Sequence, residues 1–398
     1  MKQTAIMLMA AGLISAGMVP NPCFGGTKEE KPASSSPVYP VSTETKGAPV
    51  SCEVVFVLDT TGSMGGLIEG AKKKIWSIAN DIVRAGKSGS VKIGLVPYRD
   101  RGDQYITRVF DLSDDLDQVF VNLQSFKAEG GGDGPESVNQ ALSEAVTRIS
   151  WSNSPQVMRT IFLVGDFPPH MDYQNDVKYP ASCKLAAGKN IVINTVQCGN
   201  HQPTTPIWKE IASLCDGDYS AIEQSGGMVV VSTPYDGEIA AVTRKNNATI
   251  IPYGSVAQQA AVKSKSMGSE KAETSVLAAR NSYNLYISKE AAAAPAVSGR
   301  GDLVNDAKDA DFLKKLDRKE LPAELKDKSE AQILETVQAR QKERAEYNQQ
   351  LAELNKKRAE YLRKAAAEKP APEDSFDAQV RKSVTRQLEK VRNTDSGK

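Results

Sequence analysis

Two short runs of apolar residues, each followed by an aspartate, constrain the fold of this chain more than any other feature. Residues 54–58 read VVFVL and precede Asp59, and residues 159–165 read RTIFLVG and precede Asp166. Runs of this length without polar alternation are typical of strands that are buried on both faces of a sheet. The sequence predicts further strands at residues 91–98, 106–112, 191–196 and 218–222.

Helical segments are predicted between these strands, at residues 67–85, 116–126, 136–149 and 206–214. Because strands alternate with helices, the sequence predicts an α/β fold with a Rossmann-like open, mostly parallel sheet flanked by helices. Ligands of such sheets bind at the edge where the strands end. Asp59 and Asp166 are both predicted to lie at this carboxyl edge.

The loop after the first strand carries oxygen-bearing side chains at alternate positions. Asp59, Thr61 and Ser63 lie at i, i+2 and i+4, and in an extended loop this spacing points the three side chains the same way. One carboxylate and two hydroxyls suit a hard cation that takes oxygen ligands in octahedral geometry. The sequence therefore predicts a metal site here, with Mg²⁺ favoured and Mn²⁺ or Ca²⁺ as alternatives.

The motif Asp59-x-Thr61-x-Ser63 at the end of an apolar strand resembles the metal-ion-dependent adhesion site (MIDAS) of von Willebrand factor type A (VWA) domains. Asp166, at the end of a later strand, matches the distal acidic position of that family. The resemblance covers residues 51–225. It implies the fold of the family, a bound Mg²⁺, and a partner protein whose acidic side chain completes the metal coordination.

One segment departs from the pattern of the family. Many members place a threonine ligand after a glycine pair, but residues 130–136 here read GGGDGPE. Asp133 or Glu136 is predicted to replace that threonine as a metal ligand, directly or through water. The alternative is that both are simply acids favoured by the N-terminus of a helix.

The first 25 residues are predicted to be a signal peptide. Lys2 precedes an uncharged apolar run at residues 4–19, a pattern typical of secretory leaders. Residues 26–50, rich in Ser, Thr, Pro and Lys, are predicted to form a disordered linker. We therefore expect an exported, bacterial-type protein that is periplasmic or secreted. Anchoring through a lipidated Cys23 is disfavoured because a proline precedes it.

Composition narrows the classes of function. Lys and Arg total 50 against 49 Asp and Glu, so the net charge of +1 gives no electrostatic reason to expect nucleic acid or an anionic membrane as a partner. With two histidines in the chain, a His-rich zinc centre is disfavoured. In an exported chain the remaining cysteines are expected to be disulfides or buried thiols, with the pairing left open. They are Cys52, Cys183, Cys198 and Cys215.

An accessory segment is predicted to follow the domain. Residues 226–300 are expected to pack on the sheet domain, with short strands at 229–231 and 248–252 around a helix at 238–245.

The last third of the chain is rich in charge. Residues 301–369 are predicted to form a long helical, coiled-coil-like region, and residues 370–398 a flexible tail. The weak apolar seam of the long helix consists of Ile333, Val337, Tyr347, Leu351, Leu354 and Tyr361. Two alternatives remain open, because the seam can dock on its own domain or mediate self-association.

These features together predict an exported, metal-dependent protein-binding module rather than an enzyme, with an acidic side chain of another protein as its ligand. The runner-up is an envelope scaffold that assembles through the C-terminal helix and carries a vestigial metal site. A phosphohydrolase that uses Asp59 is disfavoured, because Thr61 stands where haloacid-dehalogenase-like phosphatases carry a second carboxylate.

Overall fold

A six-stranded sheet forms the centre of the part of the chain that the computed structural model describes, residues 49–87, 89–132, 134–288, 290–307 and 310–395. The strands are β1 (Ser51–Asp59), β2 (Val91–Tyr98), β3 (Phe110–Ser113), β4 (Val157–Gly165), β5 (Val192–Cys198) and β6 (Tyr219–Ile222). Their order across the sheet is β3-β2-β1-β4-β5-β6, with β3 antiparallel to β2 and the other neighbours parallel. The predicted α/β class with an open, mostly parallel sheet is confirmed.

Helices cover both faces of this sheet. They are α1 (Gly65–Ala85), α2 (Leu116–Gln124), α3 (Val138–Thr147), α4 (Tyr179–Gly188) and α5 (Thr204–Leu214). Successive residues of β1 point to opposite faces. Phe56 packs in the core that includes residues of α1 and α2, whereas Val57 packs in the core that includes residues of α3, α4 and α5. Because both faces of this central strand are buried, its sequence is apolar without interruption.

Two local predictions about the sheet domain differ from the structure. The third strand covers 110–113 rather than 106–112, because Ile106 and Thr107 instead contact the end of β2, with the carbonyl of Ile106 accepting the N–H of Arg99. Helix α4 is not predicted at all. Its sequence is dominated by small residues and carries a proline in its first turn, a position that tolerates proline.

The strands predicted at 229–231 and 248–252 do not form. The second segment follows α6 (Asp236–Asn247), and the N–H groups of Thr249 and Ile250 donate to carbonyls at the end of that helix. These donors are therefore unavailable for a strand ladder.

Further helices follow α6 along the chain. They are α7 (Val256–Lys271), α8 (Thr274–Ile287), α9 (Leu303–Asp306), α10 (Ala310–Lys315), α11 (Glu330–Glu368) and α12 (Phe376–Asp395). Helix α8 packs on α1, and α7 packs on α2. None of the helices in the described ranges combines the length and apolarity needed to cross a membrane.

Ion pairs hold α7 and α8 on α2. The guanidinium of Arg280 donates to both carboxylate oxygens of Asp117, at 2.6 and 2.8 Å, and both residues are buried. Burial alone would raise the pKa of Asp117, but the charge and hydrogen bonds of Arg280 outweigh it and lower the pKa. Lys265 pairs with Asp115 at 2.7 Å.

The long helix α11 begins at Glu330 with a capping box formed by Ser329 and Gln332. Its apolar seam contacts the same chain. Leu351 and Leu354 pack with residues of α6 and α8, and Ile333 and Val337 pack with residues of 303–325, whereas Tyr361 is exposed. The seam therefore docks on its own chain, and self-association through this helix stays a prediction.

The predicted flexible tail, residues 370–398, requires correction, because residues 376–395 form α12 and its apolar side chains complete the core. These side chains recur at every fourth position and so form one stripe of the helix. They pack in the same core as Phe56 and are Phe376, Val380, Val384 and Leu388. Charged residues occupy positions between them, so the composition of this segment does not reveal the apolar stripe.

Some predictions fall outside the described residues or remain open. The predicted signal peptide and almost all of the predicted linker belong to residues 1–48, which are not described.

The four cysteines of the described residues are free thiols, and all four are buried. They are Cys52, Cys183, Cys198 and Cys215.

Substitution of Phe376 tests whether α12 belongs to the core. Phe376→Ala should lower the free energy of unfolding by about 3–5 kcal/mol, since it removes a ring that is 2% exposed. Val256→Ala, at a position 85% exposed, should change it by less than about 0.5 kcal/mol. Urea denaturation measures both values. Equal, small effects at the two positions would show that the C-terminal helix is not part of the core.

Candidate functional site

Asp59 and Asp166 end neighbouring strands and lie together at the carboxyl edge of the sheet. Asp59 is the last residue of β1, Asp166 follows β4, and the two strands pair directly. Both residues are buried. A Cβ at Gly165 would lie 3.1 Å from Oδ2 of Asp59 and 2.4 Å from the hydroxyl of Tyr98. The close approach of the two strand ends therefore depends on a glycine at this position.

The loop after β1 brings Thr61 and Ser63 to Asp59. Thr61 donates its backbone N–H and its hydroxyl to Oδ1 of Asp59, at 2.8 and 2.6 Å. The hydroxyl of Ser63 lies 3.4 Å from that of Thr61, within a 3₁₀ turn that covers Gly62–Met64. One carboxylate and two hydroxyls thus lie side by side.

The glycine-rich loop packs on the loop after β1. Gly62 donates its N–H to the carbonyl of Gly130 at 3.2 Å. Gly131 has a φ of +74°, which favours glycine, and a Cβ there would lie 3.2 Å from Cβ of Thr61. The glycines therefore allow this loop to approach the candidate ligands closely.

Glu136 lies at the same edge, whereas Asp133 falls outside the described residues. Glu136 is buried, and its Oε1 would lie 3.4 Å from a Cβ at Gly131. Its N–H donates to the carbonyl of Pro168, and its carbonyl accepts the N–H of His170. These bonds join the segment after the glycine loop to the segment after β4.

Three buried carboxylate oxygens at this edge have no hydrogen-bond partner. They are Oδ2 of Asp59, Oε2 of Glu136 and Oδ1 of Asp166. A buried charge without a partner is costly, so the carboxyl groups must either keep a proton or meet a cation.

The surroundings oppose ionisation of these acids. Burial, and then the negative charge of Asp166, raises the pKa of Asp59 to about 7, although hydrogen bonds from Thr61 partly offset the shift. Burial and the charges of nearby acids, Asp59 first among them, raise the pKa of Glu136 to about 9. A divalent cation would favour the ionised carboxylates instead.

The available donors fit a hard cation. Within the ranges that the structure describes, no three His, Cys, Asp or Glu side chains are grouped so as to hold a metal ion. The residues that could ligate a metal are the carboxylates of Asp59 and Asp166 with the hydroxyls of Thr61 and Ser63, and Glu136 could act through water. Mg²⁺ commonly keeps several waters and needs few carboxylates.

Two residues that the sequence analysis missed help to hold this edge. Gln224, in the turn after β6, donates from Nε2 to Oδ2 of Asp166 at 2.8 Å and to the carbonyl of Ser63 at 3.2 Å. Asp103 accepts the backbone N–H of Gly131 at 3.0 Å. Both lie in loops, where one polar residue among many carries no distinguishing sequence signal.

The two ring nitrogens of His170 lie close to carboxylates other than the candidate metal ligands. Its Nδ1 lies 2.8 Å from Asp172, and its Nε2 lies 3.3 Å from Asp100. Its ring also stacks on Tyr173, with the centroids 4.0 Å apart. These contacts give His170 a role in holding the loop after β4.

Comparisons with known proteins assign the central part of the chain to a family. The model of the von Willebrand factor A domain matches residues 53–233. A putative ariadne-like RING finger protein of Acanthamoeba polyphaga mimivirus is 20% identical over 199 residues, which make up 46% of this chain and 19% of that protein. The chain thus spans about a fifth of the length of this relative.

Solved structures with similarity include the conserved hypothetical protein BatB from Bacteroides thetaiotaomicron, the VWA domain of SpRpn10, and an aerotolerance-related membrane protein from Bacteroides fragilis. Their identities are 16%, 15% and 15%, and their TM-scores are 0.33, 0.34 and 0.30. Each match covers 44% of this chain and 90%, 89% and 92% of the respective structure.

Residues 53–233 therefore form a von Willebrand factor A domain by the match of that family's model. Domains of this family generally bind proteins rather than catalyse reactions, so the match suggests a protein-interaction module.

The raised pKa of Asp59 predicts that the metal-free protein loses stability as pH rises. Because this pKa is about 7 in the folded protein and 3.8 for an ordinary aspartate, the folded state binds more protons between these values. The stabilisation is present below about pH 4 and is lost as pH rises through about 7. Urea unfolding in EDTA should therefore give a lower free energy at pH 8 than at pH 5. Each unit of pKa difference corresponds to about 1.4 kcal/mol.

Asp59→Asn serves as the matched variant, since it keeps the shape but cannot ionise. It should show a smaller pH dependence than the wild type, with Glu136 supplying part of what remains. Mg²⁺ at pH 8 should restore stability to the wild type alone. Identical pH profiles for the two proteins would refute the assignment of this proton to Asp59.

Proposed function

We propose that this protein is an exported, metal-dependent protein-binding module. Mg²⁺, or alternatively Mn²⁺ or Ca²⁺, is held by Asp59, Thr61, Ser63 and Asp166, with Glu136 assisting through water. The metal accepts a carboxylate from a partner protein. The observation that carries this proposal is the pair of buried, neighbouring carboxylates with unpartnered oxygens beside two hydroxyls.

The neutral ligands explain how such a metal can bind a partner. Thr61 and Ser63 occupy coordination positions without cancelling the charge of the ion, which therefore retains affinity for an external carboxylate. Glu136, and Asp133 if it also points to the metal, would act in the opposite direction. Additional carboxylates strengthen metal retention and weaken the attraction for an acidic partner.

Access to this edge is compatible with binding. Ser63 and the glycines at 130–132 are exposed. The later helices pack elsewhere, with α7 on α2, α8 and α12 on α1, and α11 on α6 and α8. Among the described residues, a partner would therefore approach the metal position past Ser63 and these glycines.

Export rests on the sequence of the N-terminus, with its charged start and apolar run. We propose a periplasmic or secreted location on this basis. Mass spectrometry of the protein purified from its native compartment should find a mature N-terminus downstream of residue 19. An uncleaved chain recovered from the cytoplasm would contradict export.

Calorimetric titration with Mg²⁺ tests the metal site. The wild type should bind one ion, and Asp59→Ala should weaken binding by more than about tenfold, because it removes a charged ligand. Asp311→Ala removes an exposed carboxylate outside this edge and should bind as the wild type does. Circular dichroism checks that each variant is folded. A folded wild type that binds none of the three candidate metals would overturn the proposal.

Capture of a partner from envelope extracts then separates the binding module from a scaffold. The wild type and Asp311→Ala should capture the same protein, and EDTA or Asp59→Ala should abolish capture. Capture that survives both treatments would favour the scaffold function.

A further inference from the structure

A positively charged cavity lies beside the loop that carries the candidate metal ligands. It has a volume of about 200 Å³, and its lining includes Arg99, Tyr105, Arg108, Lys127 and Glu129. Three cationic side chains therefore accompany one carboxylate. Arg108, Lys127 and Glu129 are exposed, so solvent and solutes can enter the cavity.

Arg99 contributes a buried charge with an unused hydrogen-bond donor. It is 3% exposed, and its terminal nitrogen donates to the carbonyl of Lys127 at 2.7 Å. Its Nε is buried and has no acceptor, and the carboxylate of Glu129 lies 3.7 Å from the guanidinium, beyond hydrogen-bond distance. Leaving such a donor unpaired is unfavourable, and a bound anion would remove that cost.

Two guanidinium groups lie against the ring of Tyr105. The Cζ atoms of Arg99 and Arg108 lie 4.6 and 4.3 Å from the centroid of its ring. The ring attracts each cation, but the two positive charges repel one another. An anion in the cavity that both arginines line would offset this repulsion.

Direct hydrogen bonds join the cavity to the metal-site loop. The hydroxyl of Tyr105 lies 2.7 Å from that of Thr60, and Glu129 donates its N–H to the carbonyl of Thr60 at 3.1 Å. Thr60 stands between Asp59 and Thr61 in the sequence. The cavity and the candidate metal position are therefore adjacent at the same edge.

We propose that this cavity is an oxyanion pocket that receives a second acidic side chain of the partner. The inference rests on the proposed function and extends it, since it makes the partner an acidic segment with two carboxylates. The first carboxylate binds the metal, and the second pairs with Arg99 and Arg108. Because the two contacts are adjacent, they select partners by the spacing of their acids.

Sulfate binding in the absence of metal tests the pocket by itself. In full-length protein with EDTA, sodium sulfate should shift the NMR signals of the Nε–H groups of Arg99 and Arg108 saturably, and sodium chloride of equal ionic strength should not. Arg108→Ala should weaken this response, and Glu129→Gln should strengthen it by removing the competing carboxylate. Arg148→Ala, which removes an exposed arginine paired within α3, should leave it unchanged. No saturable shift in the wild type would overturn the pocket.

Peptide binding in Mg²⁺ tests the second acid. The probes are capped glycine peptides that carry two aspartates separated by one to four glycines, with the second aspartate replaced by asparagine in the matched set. At least one spacing should bind about tenfold tighter than its matched peptide, the size of one charge-assisted contact. Arg108→Ala should abolish this advantage without changing the affinity for peptides with one acid.

The outcomes separate the two proposals. Binding of one-acid peptides without any advantage from the second acid would overturn the pocket inference alone. An advantage that survives Arg108→Ala and Arg108→Glu would do the same. No Mg²⁺-dependent binding by any peptide, together with no Mg²⁺ binding by calorimetry, would overturn the proposed function and this inference with it.

Discussion

Repulsion between two buried acids at the ends of neighbouring strands is the constraint on which the rest of the edge depends. Asp59 and Asp166 are both removed from water, and each keeps one oxygen without a protein partner. The fold forces them together, because β1 pairs with β4 and position 165 carries no side chain. Such a pair is stable only with a proton or a cation nearby. A divalent cation at this edge would meet that electrostatic requirement.

Ion pairs hold α7 and α8 on the VWA domain, and all of their charged groups except Asp115 are buried. Arg280 with Asp117, and Lys265 with Asp115, join these helices to α2. A buried pair adds little net stability, but a shifted helix would leave a buried charge alone, so the pairs favour one docked position. This docking covers the side of the domain formed by α1 and α2, and Ser63 at the carboxyl edge stays exposed.

The parts of the fold and site that could be predicted are those whose signals are local. Buried strands appear as short apolar runs. The oxygen-bearing side chains at alternate positions from Asp59 onward lie in one contiguous loop. Gln224 and Arg99 could not be found in this way, because their importance lies in contacts with residues far away in the sequence. Helix α12 was missed for a related reason. Its periodicity reveals an apolar stripe, but only the folded chain shows that the stripe covers Phe56.

The contact between the first strand and the last helix has a consequence for how the protein is made. The rings of Phe56 and Phe376 lie 6.0 Å apart, although most of the chain separates them in sequence. A polypeptide that leaves the ribosome N-terminus first cannot complete this core until its final helix has been synthesised. Contacts between such distant segments also form slowly, because a large loop must close before they stabilise anything. Until α12 has been synthesised, the core around Phe56 therefore lacks the apolar stripe that completes it.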